Sequence, residues 1–119
     1  IDPDATQIEA AASLRADIVE LHTGAYCHAH ADGDTARVQS EVDRLQAAAA
    51  LAADAGIEVH AGHGLCFETV GAITAMPEIM EVNIGHFLIG EALFTGLPSA
   101  IAEMRRCMNA GRALVGANS

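Results

Sequence analysis

The stretch Ile57-Glu58-Val59-His60-Ala61-Gly62-His63-Gly64-Leu65 places a histidine between two glycines, directly after a short apolar run. The run is typical of a buried strand. The two glycines leave the imidazole and the neighbouring backbone amides open to close approach by a ligand. The same layout returns downstream as Val82-Asn83-Ile84-Gly85-His86. Two strand-like runs that each end in glycine and histidine predict adjacent loops on one face of the protein.

Working outward from these two runs, helix-like and strand-like segments alternate along the chain. Strands are predicted at residues 17–23, 57–61 and 81–84. The strongest helical pattern is the apolar spacing that Gly56 ends, formed by Val38, Val42, Leu45, Ala49 and Ala52. Other helices are predicted from Asp2 to about Ala16 with Ile8, Ala11, Ala12 and Leu14 or Arg15 inward, at 69–76, from His86, and at 97–110 with Ile101, Met104 and Met108 inward. This alternation predicts an α/β fold with a parallel sheet and helical crossovers, either a small open sheet or part of a barrel.

The composition narrows the class of partner. The 119 residues carry a net charge of −10 with no lysine, which argues against a nucleic acid or an anionic membrane as the main partner. The apolar runs are too short to predict a membrane span. Three widely spaced cysteines without a CxxC pair favour reduced thiols, so the chain is expected to be cytoplasmic. Its length predicts one domain at most.

Titratable side chains and glycines follow all three predicted strands. Glu20 and His22 end the first strand, Gly62-His63-Gly64 the second, and Gly85-His86 the third. In parallel sheets and in barrels the reactive groups lie at the carboxyl ends of the strands. A histidine there can give and take protons near neutral pH, and glycine-bearing loops present backbone amides to an anion. The residues by themselves therefore predict an enzyme that holds a small anionic ligand with histidine and backbone amides.

The ordered set Glu20-Leu21-His22-Thr23-Gly24, Ala61-Gly62-His63-Gly64-Leu65 and Asn83-Ile84-Gly85-His86 resembles the pyridoxine 5′-phosphate synthase family. That family has a (β/α)8 TIM barrel, which is about 250 residues long when whole. The resemblance implies that residues 1–119 are one partial barrel domain, from about the end of strand five to the C-terminal helices, with the N-terminal half absent. It also implies that the barrel joins 1-deoxy-D-xylulose 5-phosphate to 3-amino-2-oxopropyl phosphate, giving pyridoxine 5′-phosphate, phosphate and water. The isolated fragment is expected to be inactive.

The resemblance also implies roles for five residues. His63 is expected to act as a proton donor, and Glu20 to stabilise positive charge in the transition state. Gly64, Gly85 and His86 are expected to bind the phosphorylated substrates. No metal and no cofactor are expected. The partners implied are the small phosphorylated substrates, the missing half of the barrel and further copies of the chain in a homo-oligomer.

The remaining histidines and Cys66 receive weaker interpretations. His22 shares the face of Glu20 and stays unassigned, whereas His60 is expected to be packed or hydrogen-bonded within its strand. His28 and His30 form a His-x-His pair in an expected loop, where no third metal ligand is nearby. Cys66 is interpreted as structural.

Two other classes of function remain open from the residues. One is a non-catalytic half-barrel that holds a phosphate compound or pairs with another half. A half-barrel leaves strand edges and apolar surface uncovered. If the chain is stable by itself, it is therefore expected to dimerise or to associate with its missing half. The other is a different sugar-phosphate barrel enzyme, which would need an acid/base pair that the sequence does not show.

Overall fold

The computed structural model describes residues 1–117, which form six helices and three strands. In chain order these are α1 (Ala5–Ser13), β1 (Ile18–His22), α2 (Gly24–Ala31), α3 (Thr35–Asp54), β2 (Glu58–Gly62), α4 (Phe67–Thr74), β3 (Ile79–Asn83), α5 (His86–Thr95) and α6 (Leu97–Ala117). The strands pair in parallel in the order β1-β2-β3. The predicted α/β fold with a parallel sheet and helical crossovers is confirmed.

The register of the sheet aligns the strand ends. His22 pairs with Gly62, and Gly62 pairs with Asn83, so the last residues of the three strands form one row. On the edge of β1 away from β2, Ile1 forms one further bridge. Its amino group donates to the carbonyl of Glu20 at 2.8 Å, and the amide of His22 donates to the carbonyl of Ile1 at 2.9 Å. Backbone groups at the outer edge of β1 are therefore bonded to one further residue, Ile1.

The two faces of the sheet differ in chemistry. One face packs against the helices and is apolar, with Leu21, Val59 and Ala61 nearly inaccessible to solvent. The other carries alternate residues of β1 such as Ile18, Glu20 and His22, which are exposed. The apolar core therefore lies between the sheet and the helices, and the polar face is left open by the described residues.

Capping residues set the helix bounds near α1 and α3. Asp4 accepts a hydrogen bond from the amide of Gln7, so the N-cap of α1 lies two residues after the predicted cap, Asp2. Asp34 caps α3 in the same way, and Gly56, with φ of 78°, follows the C-cap of α3 as predicted.

Three details of the sequence prediction are wrong. The expected loop containing His28 and His30 is the helix α2, whose buried positions, Gly24, Tyr26 and Ala29, are too few to produce a visible apolar period. Helix α1 ends at Ser13, so Leu14 lies outside it, 82 % exposed instead of inward. Ile101 on α6 is 41 % exposed because its face borders a groove beside α5.

Two further observations complete the fold. Within residues 1–117, no helix is long and apolar enough to cross a membrane. Helix α2 is fastened to α4 by Tyr26, whose buried hydroxyl donates to the carbonyl of Thr69 at 3.0 Å.

Helices α4 and α6 approach closely at Gly111. The hydroxyl of Thr74 on α4 donates to the carbonyl of Met108 on α6 at 3.0 Å. A Cβ atom at position 111 would overlap this hydroxyl and the carbonyl of Gly71. Gly111→Ala is therefore expected to lower the free energy of unfolding by about 1–3 kcal/mol, measured by urea denaturation. Gly90→Ala on α5 is the control, since its Cβ meets nothing within 4 Å and the change should stabilise the helix slightly. Equal effects of the two changes would contradict the close approach.

The packing of Tyr26 predicts a loss of stability at high pH. Burial raises the pKa of Tyr26 from 10.0 to about 12. The stability that depends on the neutral phenol is therefore complete below pH 10 and is lost as pH rises toward 12, because the unfolded chain ionises first. The urea midpoint of Tyr26→Phe should fall less steeply with rising pH than the midpoint of the unsubstituted chain over this range. Parallel declines would show that Tyr26 does not contribute.

Candidate active site

The carboxyl ends of the three strands surround one pocket of about 620 Å³. Nine residues line it, namely Glu20, His63, Gly64, Leu65, Asn83, Ile84, Gly85, His86 and Phe87. The five predicted site residues, Glu20, His63, Gly64, Gly85 and His86, are all among them. Parallel pairing brings them together, although Glu20 and His86 are far apart in the sequence. The volume is in the range of small-molecule sites.

His63 is held in an uncommon backbone conformation. Its φ is 84°, in the left-handed region that favours glycine, and φ of Gly64 is 82°. The buried hydroxyl of Thr23 lies 2.7 Å from the carbonyl oxygen of Gly62 and 2.6 Å from that of His63, and its proton is shared between them. The thiol of Cys27 lies 3.7 Å from the same carbonyl of His63. These contacts hold the turn that presents the imidazole.

The ring of His63 stacks on the ring of His22. Their centroids are 4.2 Å apart and their planes differ by 29°. The amide of Gly24 donates to Nδ1 of His22 at 3.3 Å, so the proton of a neutral His22 lies on Nε2. A Cβ atom on Gly24 would collide with His22 and approach Cδ2 of His63 to 3.2 Å. The missing side chain at Gly24 therefore makes room for both rings.

The carboxylate of Glu20 reaches across the sheet. Its Oε2 accepts a hydrogen bond of 2.7 Å from Nδ2 of Asn83 on β3. Between them, on β2, lies the buried Gly62, where a Cβ atom would stand 2.7 Å from Oε1 of Glu20. Glu20 is exposed on the pocket side, so its carboxylate is available to a bound molecule.

The third side of the pocket is the start of α5. Helix α5 begins at His86, as predicted, and Gly85 is its N-cap without a side-chain hydrogen bond to the first turn. Because the N-terminus of a helix carries unpaired amides and a partial positive charge, it favours an anion. Phe87 next to it packs edge-on against Phe67, with ring centroids 4.8 Å apart, which links α5 to α4.

The remaining candidates lie outside this pocket. His60 hydrogen-bonds Glu58 at 2.7 Å, in agreement with its expected packed role. His28 and His30 are exposed on α2, and residues 1–117 contain no cluster of three potential metal ligands. The thiol of Cys66 contacts the hydroxyl of Thr69 at 3.3 Å at the start of α4, which fits the structural interpretation.

Two residues with clear positions at the site were not selected from the sequence. Thr23 is completely buried, and Asn83 bonds the predicted Glu20. A weak signal existed for both, since Thr23 is the last residue of the first predicted strand and Asn83 lies two residues before Gly85. Their bonding partners become visible only once the strand register is known.

The chain is similar to known proteins over most of its length. Residues 1–110 match the family model described as pyridoxal phosphate biosynthesis protein PdxJ. Proteins named pyridoxine 5′-phosphate synthase are similar over most of the chain. The one from Roseobacter denitrificans is 60 % identical over 107 residues, 90 % of this chain and 43 % of the relative. Those from Ruegeria pomeroyi and Xanthobacter autotrophicus are 57 % and 58 % identical, over 95 % and 98 % of this chain and 46 % and 45 % of the relatives. The chain thus spans less than half the length of these relatives.

Thr23 provides a direct test of how the turn at His63 is held. Thr23→Val keeps the shape of the side chain but removes the hydroxyl. The carbonyl of His63 then loses its bond of 2.6 Å, and the carbonyl of Gly62 keeps only the bond of 2.8 Å from the backbone amide of residue 23. The free energy of unfolding is expected to fall by about 1–3 kcal/mol in urea denaturation. Thr95→Val is the matched control, because that exposed hydroxyl only donates within α5, to the carbonyl of Glu91 at 3.2 Å. If Thr23→Val lowered the free energy of unfolding no more than the control does, the Thr23 hydroxyl would not stabilise the turn at His63.

Proposed function

This chain belongs to the family of pyridoxal phosphate biosynthesis protein PdxJ, and on that premise we propose that it supplies the C-terminal half of a pyridoxine 5′-phosphate synthase. In this proposal, residues 1–119 are part of a (β/α)8 barrel that a further, N-terminal half completes. The barrel condenses 1-deoxy-D-xylulose 5-phosphate with 3-amino-2-oxopropyl phosphate and releases pyridoxine 5′-phosphate, phosphate and water. The observation that carries the proposal is the single pocket in which acid/base groups and anion-binding amides from three strand ends meet.

The chemistry of the reaction fits the groups around this pocket. An amine and a ketone must condense, phosphate and water must leave, and a ring must close, and each step moves protons. His63 is exposed to the pocket and serves as the proton donor in this scheme. The carboxylate of Glu20 stabilises the positive charge that develops as the iminium forms.

Phosphate binding is assigned to the glycine-bearing turns. Gly64 and Gly85 carry no side chain that would keep a phosphate from the backbone amides. His86 begins α5, so its amide lies at the positive end of the helix dipole. With no lysine in the chain, these amides and the imidazole of His86 are the anion-binding groups at this pocket.

The open parts of the fold support completion by further strands. The polar face of the sheet would form the interior of the barrel, and the outer edge of β1 already bonds to the backbone of one further residue, Ile1. Helix α5 exposes Ile89, Leu93 and Phe94, which are 60 %, 82 % and 89 % accessible. Such a surface suits contact with the rest of the barrel or with further copies in a homo-oligomer.

The test uses this chain joined to the part of the Roseobacter denitrificans relative that lies outside the matched 107 residues. With both substrates, the joined protein is expected to release phosphate and form pyridoxine 5′-phosphate. His63→Ala should lower kcat by about 10²–10⁴-fold because the proton donor is lost, with a small change in Tm. His28→Ala, on the exposed side of α2, is the matched control and should leave kcat unchanged.

Two results would count against the proposal. A folded joined protein that forms no product from both substrates would refute the assigned reaction. If His63→Ala instead lowered Tm and activity together, the role of His63 would be structural and the proton donor would have to be sought elsewhere.

A further inference from the structure

We propose that Asn83 is a positioning residue for the carboxylate of Glu20, and that Gly62 is a glycine because this contact crosses directly over it. The inference rests on the proposed function, in which the Glu20 carboxylate faces developing positive charge. It concerns the residue that fixes this carboxylate in place. Three neighbouring strands contribute one residue each to the arrangement.

The strand register explains how the contact forms. Glu20 is aligned with His60, whereas Asn83 is aligned with Gly62, two residues nearer the carboxyl end of β2. The Glu20 side chain must therefore extend along the sheet toward the pocket and cross β2 to meet Asn83. It does so, with 2.7 Å between Oε2 of Glu20 and Nδ2 of Asn83.

The crossing is possible because position 62 has no side chain. A Cβ atom there would stand 2.7 Å from Oε1 and 2.9 Å from Cδ of Glu20, and 3.0 Å from the carbonyl oxygen of Asn83. Real Cβ atoms do not approach so closely to a carboxylate, so any larger residue would push the Glu20 side chain away. The φ of Gly62 is not in the left-handed region, so backbone conformation does not require glycine at this position.

The chemistry of an amide donor suits the task. A carboxylate only accepts hydrogen bonds, which means that the Nδ2 end of Asn83 must face it. The bond is charge-assisted and fixes Oε2, while Oε1 stays free for a substrate atom. An arginine or lysine at position 83 would hold the carboxylate equally well but would cancel its charge. The neutral amide orients Glu20 and leaves its negative charge available to the developing cation.

The first experiment compares Asn83→Ala and Asn83→Asp in the joined protein described above. Asn83→Ala is expected to lower kcat about 10- to 100-fold, the range for a hydrogen bond to a charged group, with little change in KM or Tm. Asn83→Asp is nearly isosteric but places a second carboxylate against Glu20. Its kcat relative to the unsubstituted protein should be lowest at neutral pH and recover as pH falls, because one proton shared by the pair restores a donor. Asn109→Ala, on the exposed side of α6, is the control.

The second experiment tests the crossing itself. Gly62→Ala should also lower kcat although Asn83 is intact, whereas Gly90→Ala on α5 should not. Unchanged kcat in Asn83→Ala, or an Asn83→Asp protein as active as the unsubstituted one at neutral pH, would overturn the inference and leave the proposed function standing. Asn83 would be only a structural residue if Asn83→Ala lowered Tm while Asn83→Asp kept both its Tm and its kcat. An unsubstituted joined protein without turnover would overturn the proposed function, and this inference with it.

Discussion

The in-register parallel pairing of β1 with β2 is the constraint on which the site depends. It places His22 opposite Gly62, so that Thr23, the next residue, reaches the carbonyls of Gly62 and His63. The same pairing sets Glu20 two residues behind that row, from where its side chain extends into the pocket. A shift of one residue would turn Glu20 toward the apolar core, since successive side chains of a strand point to opposite faces. The hydrophobic pattern of β1 therefore fixes the strand register on which both the core and the geometry of the site depend.

Two glycines shape the site by the room that they leave. Gly24 lies beneath the stacked rings of His22 and His63, and Gly62 lies beneath the contact of Glu20 with Asn83. In both cases a methyl group would occupy the space of a functional side chain. The buried hydroxyl of Thr23 then ties the turn at His63 to β1. The site is thus shaped by glycines, one in the sheet and one at the start of α2, that leave room for larger polar side chains.

Much of this arrangement could be predicted from the sequence because it follows from local patterns. Periodicity located α3 and Gly56 marked its end, while alternation of elements predicted the parallel sheet and the meeting of its strand ends. Helix α2 was missed because its buried residues are only Gly24, Tyr26 and Ala29, and a helical period cannot be recognised from so few positions. The roles of Thr23 and Asn83 were missed for another reason. Their partners are 39 and 63 residues away, and such contacts follow from register rather than from neighbouring sequence.

The backbone of His63 has a consequence for how this sequence can change. A residue with a side chain in the left-handed region costs roughly 1–2 kcal/mol, which glycine would avoid. Selection for folding alone would therefore favour three consecutive glycines at the end of β2. If His63 serves as the proton donor of the proposed function, its imidazole is a trade-off in which stability is given up for chemistry. Under the proposed function, a variant of this chain selected only for thermal resistance would be drawn toward losing the imidazole that serves as the proton donor.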